Sequence, residues 1–402
     1  MHPQSSQLLY AAGSNARGQL AIGHADDAHT FELCVFDPPL QPGSRILSVS
    51  CGANHTLAIV QSETTHHTLW SAGFTSRGQR GFISEDEAHV FRPLANPAEY
   101  AAMVPLHITC LWESSLVVLR GPERDVILSF GANDFGDLGR DANKTSDMQP
   151  VDLHQIVSQD ATVRVAKIFS GPHHAVVLLD SEHERYVVGW GASRHGQLGA
   201  LAASSKMAAL PILIARNLLT DLEHIIGAAC GNQHTLLLRA NGTVVGLGSN
   251  RRGQTPLELQ ALVNIRQVAA CWNTNAALST DGDVHMFGNG AHGQLGHGPA
   301  TDATLQYHTI QLDRTILQLA AGSEHVLVVS DGGDERQVIG WGWNEHGNLG
   351  LGHTLDILAP TCLWPPFELD GDAHHNKLRV ESIWAGCGTS WISVTPTEHL
   401  SA

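Results

Sequence analysis

Gly340-Trp341-Gly342-Trp343-Asn344-Glu345-His346-Gly347-Asn348-Leu349-Gly350 is the stretch that decides the fold. Alone it reads as a glycine-rich loop. Against the rest of the chain it is one of seven copies. A β-like run, Gln337-Val338-Ile339, precedes it. Its first glycine recurs at Gly13, Gly73, Gly131, Gly191, Gly248, Gly288 and Gly342, and a second follows five residues later at Gly18, Gly78, Gly136, Gly196, Gly253, Gly293 and Gly347. Gln-Leu or a near variant comes next in most copies, as in Gln19-Leu20, Asp137-Leu138, Gln197-Leu198, Gln294-Leu295 and Asn348-Leu349. Successive first glycines are 60, 58, 60, 57, 40 and 54 residues apart. That is a repeat of propeller-blade size with one shortened unit. Glycine at both places fits a turn between strands that needs positive φ or close backbone approach.

Each unit has a second half. Ser50-Cys51-Gly52-Ala53-Asn54-His55-Thr56-Leu57 sets the pattern, which recurs around Gly171-Pro172-His173-His174, Gly231-Asn232-Gln233-His234 and Gly322-Ser323-Glu324-His325. Cys110-Leu111-Trp112-Glu113-Ser114 and Cys271-Trp272-Asn273-Thr274-Asn275 lack both glycine and histidine, and Gly386-Cys387-Gly388-Thr389 keeps only the glycine. In this reading Trp112 and Trp272 take the place of a turn glycine, and Cys51, Cys110, Cys230 and Cys271 share one repeat position. The apolar runs after each turn read as buried strands.

The chain has 402 residues, yet a closed ring of blades is one unit at any length. Its first strand, Gln7 to Ala12, lacks a preceding half-blade, and its last, Ser390 to Val394, lacks a following one. Pairing the two would close the ring and remove its exposed edges. Ser84–Tyr100 and Ala200–Ala209 read as loop insertions, as do Ile22–Ser44, Asp141–Gln149 and Asp370–Lys377. The best helix signal is Leu213–Leu222.

The net charge of −16 disfavours broad nucleic-acid binding. Arg251-Arg252 is a local basic spot, not a run. No apolar stretch reaches membrane-span length and no signal peptide is evident. The seven cysteines contain no C-x-x-C pair and suit a reducing compartment, so a protein of the cytoplasm, or of cytoplasm and nucleus, is expected. Gly288-x-Gly290-x-x-Gly293 matches a dinucleotide fingerprint as text, but the repeat accounts for it and no βαβ context follows.

The turns of the form G-x-N-x-x-G-Q-L-G combined with C-G-x-x-H-T strands resemble the regulator-of-chromosome-condensation repeat over essentially the whole chain. The resemblance implies an all-β, seven-bladed β-propeller, each blade a four-stranded antiparallel sheet. The closing motifs Gly322-Ser323-Glu324-His325, Gly340-Trp341-Gly342-Trp343 with Glu345-His346-Gly347-Asn348, and Trp391-Ile392, together with Cys271-Trp272, are most similar to the small fungal alpha-tubulin-suppressor branch. That likeness implies a non-enzyme without a cofactor. Its partner would be a small metal-binding protein of the diphthamide pathway, held as a heterodimer. The pair would support diphthamide formation on elongation factor two and Elongator-dependent modification of wobble uridines in tRNA. The alternative is guanine-nucleotide exchange on a small Ran-like GTPase, as in the family's founder. That activity depends on a projecting β-wedge and a basic tail; only the acidic Ser84–Tyr100 offers a candidate wedge.

A propeller presents one turn per blade around its axis. Here those positions are Asn54, Glu113, His173, Gln233, Asn273 or Thr274, Glu324 and Gly388. The expected partner contacts are Trp112, Glu113, Trp272, Asn273, Glu324, His325, Trp343, Glu345 and His346. Tryptophan is the residue most enriched at binding hot spots. Each tryptophan could instead wedge between adjacent blades. The recurring His55, His174, His234 and His325 read as hydrogen-bonding to backbone of their own or the next blade, not as a metal site.

Overall fold

The structure is a computed structural model that describes residues 6–64, 66–141, 147–157, 163–200, 202–298, 307–332, 336–366 and 378–396. Seven antiparallel sheets form the blades of one propeller. In blade 2 the strands run from the axis outward as Arg45–Cys51, His55–Gln61, His67–Thr75 and Ser84–Leu94. Blades 3, 4, 6 and 7 repeat this order from inner strands Val104–Cys110, Arg164–Ser170, Ile265–Ala270 and Thr315–Ala321. The inner strand of each blade touches that of the next in an unbroken circuit, which is what closes the ring.

Blade 1 is the closure. Its inner strands, Leu378–Ala385 and Thr389–Pro396, come from the end of the chain; its outer strands, Leu8–Gly13 and Ala28–Leu33, come from the start. Leu8–Gly13 lies antiparallel on Thr389–Pro396 in unbroken register from Leu8↔Val394 to Gly13↔Thr389. The strand pairing read from the unpaired halves of the sequence is therefore present.

Blade 5 departs from four strands. It has Ile225–Cys230, His234–Arg239 and Val244–Gly248, and the 3-10 turn Leu257–Ala261 lies against its outer strand. The 40 residues between Gly248 and Gly288 are too few for a fourth strand and a return to the axis. Leu259, 2 % exposed, anchors the turn in the core.

Three stretches read as loops or helix are strands. Ser84–Leu94 is the outer strand of blade 2, and Ala28–Leu33, inside the Ile22–Ser44 segment, is the outer strand of blade 1. An outer strand pairs on one side only and tolerates acidic residues facing water; Phe91, fully buried, ties Ser84–Leu94 to the core. The expected helix at Leu213–Leu222 falls largely on Met207–Leu218, the outer strand of blade 4, which also takes in the end of the 200–209 stretch. Pro211 and the β-branched Ile212 and Ile214 disfavour a helix, and proline is tolerated at a sheet edge. Most of Asp141–Gln149 and all of Asp370–Lys377 lie outside the described residues.

The glycine spacing has a direct cause. At Gly131, φ is 105° and an added Cβ would lie 2.5 Å from the Glu113 carbonyl oxygen. That oxygen accepts the Ala132 N–H at 2.9 Å, and the equivalent bond recurs in all seven blades, from Phe74 to Asn54 through Ser14 to Gly388. The following Gln seals the loop. Gln79 Oε1 accepts the Arg77 N–H at 3.0 Å, and Gln197, Gln254 and Gln294 do the same for His195, Arg252 and His292. The leucine after it is core, with Leu20, Leu138, Leu198, Leu295 and Leu349 all buried.

Candidate functional site: the axial face

The turn after each inner strand and the glycine loop of the same blade emerge on one face, because two antiparallel strands separate them. At the centre of this face the turns bond to one another around the axis. Ala53 N–H donates to Trp112 O at 2.9 Å and Trp112 N–H to Pro172 O at 2.8 Å; Asn232 N–H donates to Trp272 O at 3.0 Å and Trp272 N–H to Ser323 O at 2.7 Å. Trp112 and Trp272 thus occupy the position of Ala53, Pro172, Asn232 and Ser323, not that of the glycine. Leu111 and Cys271, each 1 % exposed, stand where Gly52, Gly171, Gly231, Gly322 and Gly386 stand in the other blades. Cys271 accordingly does not share the position of Cys51, Cys110 and Cys230. All seven cysteines are free thiols.

The histidines explain this substitution. A Cβ on Gly231 would lie 2.6 Å from His234 Nδ1, and one on Gly322 would lie 2.7 Å from His325 Nδ1. Of the three blades without this histidine, the two with Ser114 and Thr274 carry a side chain at the glycine position; the third keeps Gly386, where an added Cβ would lie 2.6 Å from Thr389 Oγ1. Gly231→Ala is therefore expected to destabilise the fold by about 2 kcal/mol, the usual scale of core overpacking. Adding His234→Ser should recover part of the loss, as denaturation midpoints of the single and double variants would report.

The rings themselves bolt blades together. His55 Nε2 meets Ser115 Oγ of the next blade at 2.8 Å, His174 meets Thr235 Oγ1 at 2.9 Å, His234 meets Asn275 Oδ1 at 2.7 Å and His325 meets Ser390 Oγ at 3.0 Å. The partners are side chains, not backbone. Ser115 Oγ donates onward to Gln79 O and Asn275 Nδ2 to Gln254 O, so His55 and His234 carry their proton on Nε2. Burial pushes the four rings down to about 3, 3, 4 and 4 in chain order, which keeps them neutral. His325 is fully buried and so is not a partner contact.

The other expected contacts lie on this face in two groups. Trp112 and Trp272 come from blades on opposite sides of the ring and meet over the axis, with ring centroids 5.8 Å apart. They do not wedge between neighbouring blades. The space beneath them, lined by Cys51, Cys110, Cys230 and Cys387, is only about 100 Å³. Around the pair, Glu113 reaches Arg77 at 3.5 Å, and Asn273 Oδ1 accepts from Gln254 Nε2 at 3.4 Å. Glu324 accepts from Gln294 Nε2 at 3.1 Å and faces His292 at 3.6 Å; burial raises its carboxyl above the ordinary value. The second group lies where blades 7 and 1 meet. Trp343 packs edge-on against His346 at 5.3 Å, His346 Nδ1 holds Asp27 at 2.8 Å, and Glu345 is exposed.

One ring of residues escaped the sequence reading as a set, although His346 and Arg252 were noted singly. The residue just before each second glycine is Arg17, Arg77, Phe135, His195, Arg252, His292 or His346. Its fixed place in the motif was the available signal. Phe135, 45 % exposed, lies 4.1 Å from the His173 ring, which in turn lies 6.5 Å from Trp112, so an aromatic surface runs outward from the centre.

The chain matches the RCC1-like domain family over residues 7–392, and it belongs to that family. It is 26 % identical to an RCC1 repeat-containing protein of Schizosaccharomyces pombe, covering 96 % of this chain and 99 % of that one. It is 25 % identical to the secretion-regulating guanine nucleotide exchange factor of Bos taurus, over 89 % of this chain and 78 % of that protein. Among solved structures it is similar to Prp20p from Saccharomyces cerevisiae, with a TM-score of 0.75 at 19 % identity, covering 98 % of this chain and 93 % of the other.

Proposed function

We propose that this chain is a non-catalytic subunit that holds a small metal-binding protein of the diphthamide pathway on its axial face. Through that pair it supports diphthamide formation on elongation factor two and Elongator-dependent wobble-uridine modification. The observation that carries the reading is the Trp112–Trp272 pair, which meets over the axis and offers a half-buried aromatic anchor to a protein surface. Glu113, Asn273, Glu324, Trp343, Glu345 and His346 supply the polar rim. The likeness of the closing motifs to the alpha-tubulin-suppressor branch supports the choice of partner.

Trp272→Ala is expected to weaken the complex by about 2 kcal/mol or more, the hot-spot threshold, while the melting temperature stays near wild type. Co-purification from cells followed by mass spectrometry, with titration of the recovered partner, checks this. Wild-type affinity in the variant would remove the proposed site.

The second reading, nucleotide exchange on a small GTPase, draws support from the name of the bovine relative. Against it, the acidic stretch considered as a wedge is mostly the outer strand of blade 2. Recovery of a GTPase whose nucleotide release the purified chain accelerates would favour it.

A further inference from the structure

We infer that a groove across blades 3 to 5 of the axial face takes an acidic segment of the partner, with one apolar side chain as its anchor. This rests on the partner-holding reading above and names what the partner would present. The groove, about 490 Å³, runs from Asp134 and Phe135 of blade 3, past Arg194 and Lys206 of blade 4, to Gln233 in the inner turn of blade 5. Phe135 and Met207, 45 % and 43 % exposed, give it an apolar wall.

Its charge is the reverse of the chain's. The motif ring carries arginine or histidine at every position except Phe135, and most of these side chains already face a carboxylate. Arg17 pairs with Glu87 at 2.8 Å, Arg77 with Asp134 at 2.9 Å, His292 with Asp356 at 2.9 Å and His346 with Asp27 at 2.8 Å. Blades 4 and 5 differ. Among the described residues, the side chains of Arg194, His195, Lys206, Arg251 and Arg252 form no ion pair, and both arginines of the Arg251-Arg252 loop are exposed. Asp134, the one carboxylate lining the groove, is held by Arg77 through both oxygens, at 3.0 and 2.9 Å. On a chain of net charge −16, these residues form a cationic sector of the axial face. Such a sector steers carboxylates and repels little of what it needs to bind. It adjoins the aromatic surface at His173, so a segment lying in it would reach the Trp112 anchor.

The test is fluorescence anisotropy of the full chain with a fluorescein-labelled peptide of glutamates flanking one phenylalanine. A peptide with glutamine for glutamate and a short single-stranded RNA serve as competitors. The acidic peptide is expected to bind with affinity that falls as salt rises. Combining Arg194→Glu and Lys206→Glu with Arg251→Glu and Arg252→Glu should weaken it at least about tenfold, since each exposed charge contributes a fraction of the 1.4 kcal/mol that makes a decade. Arg45→Glu, far from this face, should leave binding unchanged. Equal binding of the glutamine peptide, equal loss with Arg45→Glu, or tighter binding of the RNA would each overturn the inference. The partner pull-down separates its failure from that of the function. If Trp272→Ala loses the partner but the four charge reversals do not, the face binds the partner and the groove does not.

Discussion

Removing residues 1–12 is expected to leave a chain without a cooperative native fold, or one that melts about 10 °C or more below wild type. The deleted segment contains the third strand of blade 1, between Thr389–Pro396 and Ala28–Leu33. Without it Thr389–Pro396 becomes an edge, and Ala28–Leu33, already the outer strand, loses its attachment to the blade. Leu9, Ala11 and Ala12 are nearly or wholly buried, and Leu9 and Ala11 share a core cluster with Trp391 and Phe91. A fully buried leucine is worth about 1.5–3 kcal/mol. Losing the strand's side of the core together with its ladder of hydrogen bonds costs at least about 5 kcal/mol, within the range of a whole domain's stability. Differential scanning calorimetry of the truncated chain measures this directly. A synthetic peptide of residues 1–13 added in trans is expected to raise the melt again, because it restores the same pairing. An unchanged melt in the truncated chain would mean that the ring does not depend on this strand for closure.

What the sequence made legible were requirements of the local backbone. The paired glycines mark turns that leave no room for a Cβ, so the blade count and the closing strands could be read from spacing alone. The outer strands were hard to read because one side of each is water. Ser84–Leu94 looks like an acidic loop, and Met207–Leu218 carries an apolar pattern that mimics a helix. The site was legible by residue but not by arrangement. Trp112 and Trp272 stood out as large aromatics in a turn, yet only the curvature of the ring brings positions 160 residues apart within 5.8 Å. The link between Gly231 and His234 is likewise a matter of space, and without it Cys271 could not be aligned with Gly52. The cationic sector needed both the motif ring and the ion pairs, and sequence shows only the first.

Lowering the pH from 7.5 to 5.5 is expected to remove about 5 kcal/mol of stability, most of it at the four blade-to-blade histidines. Their native pKa values, about 3 for His55 and His174 and about 4 for His234 and His325, lie below the ordinary 6.5 because burial disfavours the charged ring. Between those limits the unfolded chain takes up protons that the native one does not, so stability falls as pH falls. The contribution is complete above about pH 6.5 and is lost progressively below it. One unit below 6.5, each ring costs about 1.4 kcal/mol, and four act together. Burial lowers His107, His285 and His308 as well, which adds in the same direction. The carboxylates Asp125, Glu87 and Glu184, held below the ordinary carboxylate range, act in the same sense only near and below that range, outside this window. Guanidinium denaturation at half-unit steps would give the slope. His234→Gln keeps an N–H for Asn275 but cannot titrate. It is expected to be less stable at pH 7.5 and to flatten the slope by about 1.4 kcal/mol per unit. A slope that is the same in wild type and His234→Gln would show that these rings are not what acid unlocks.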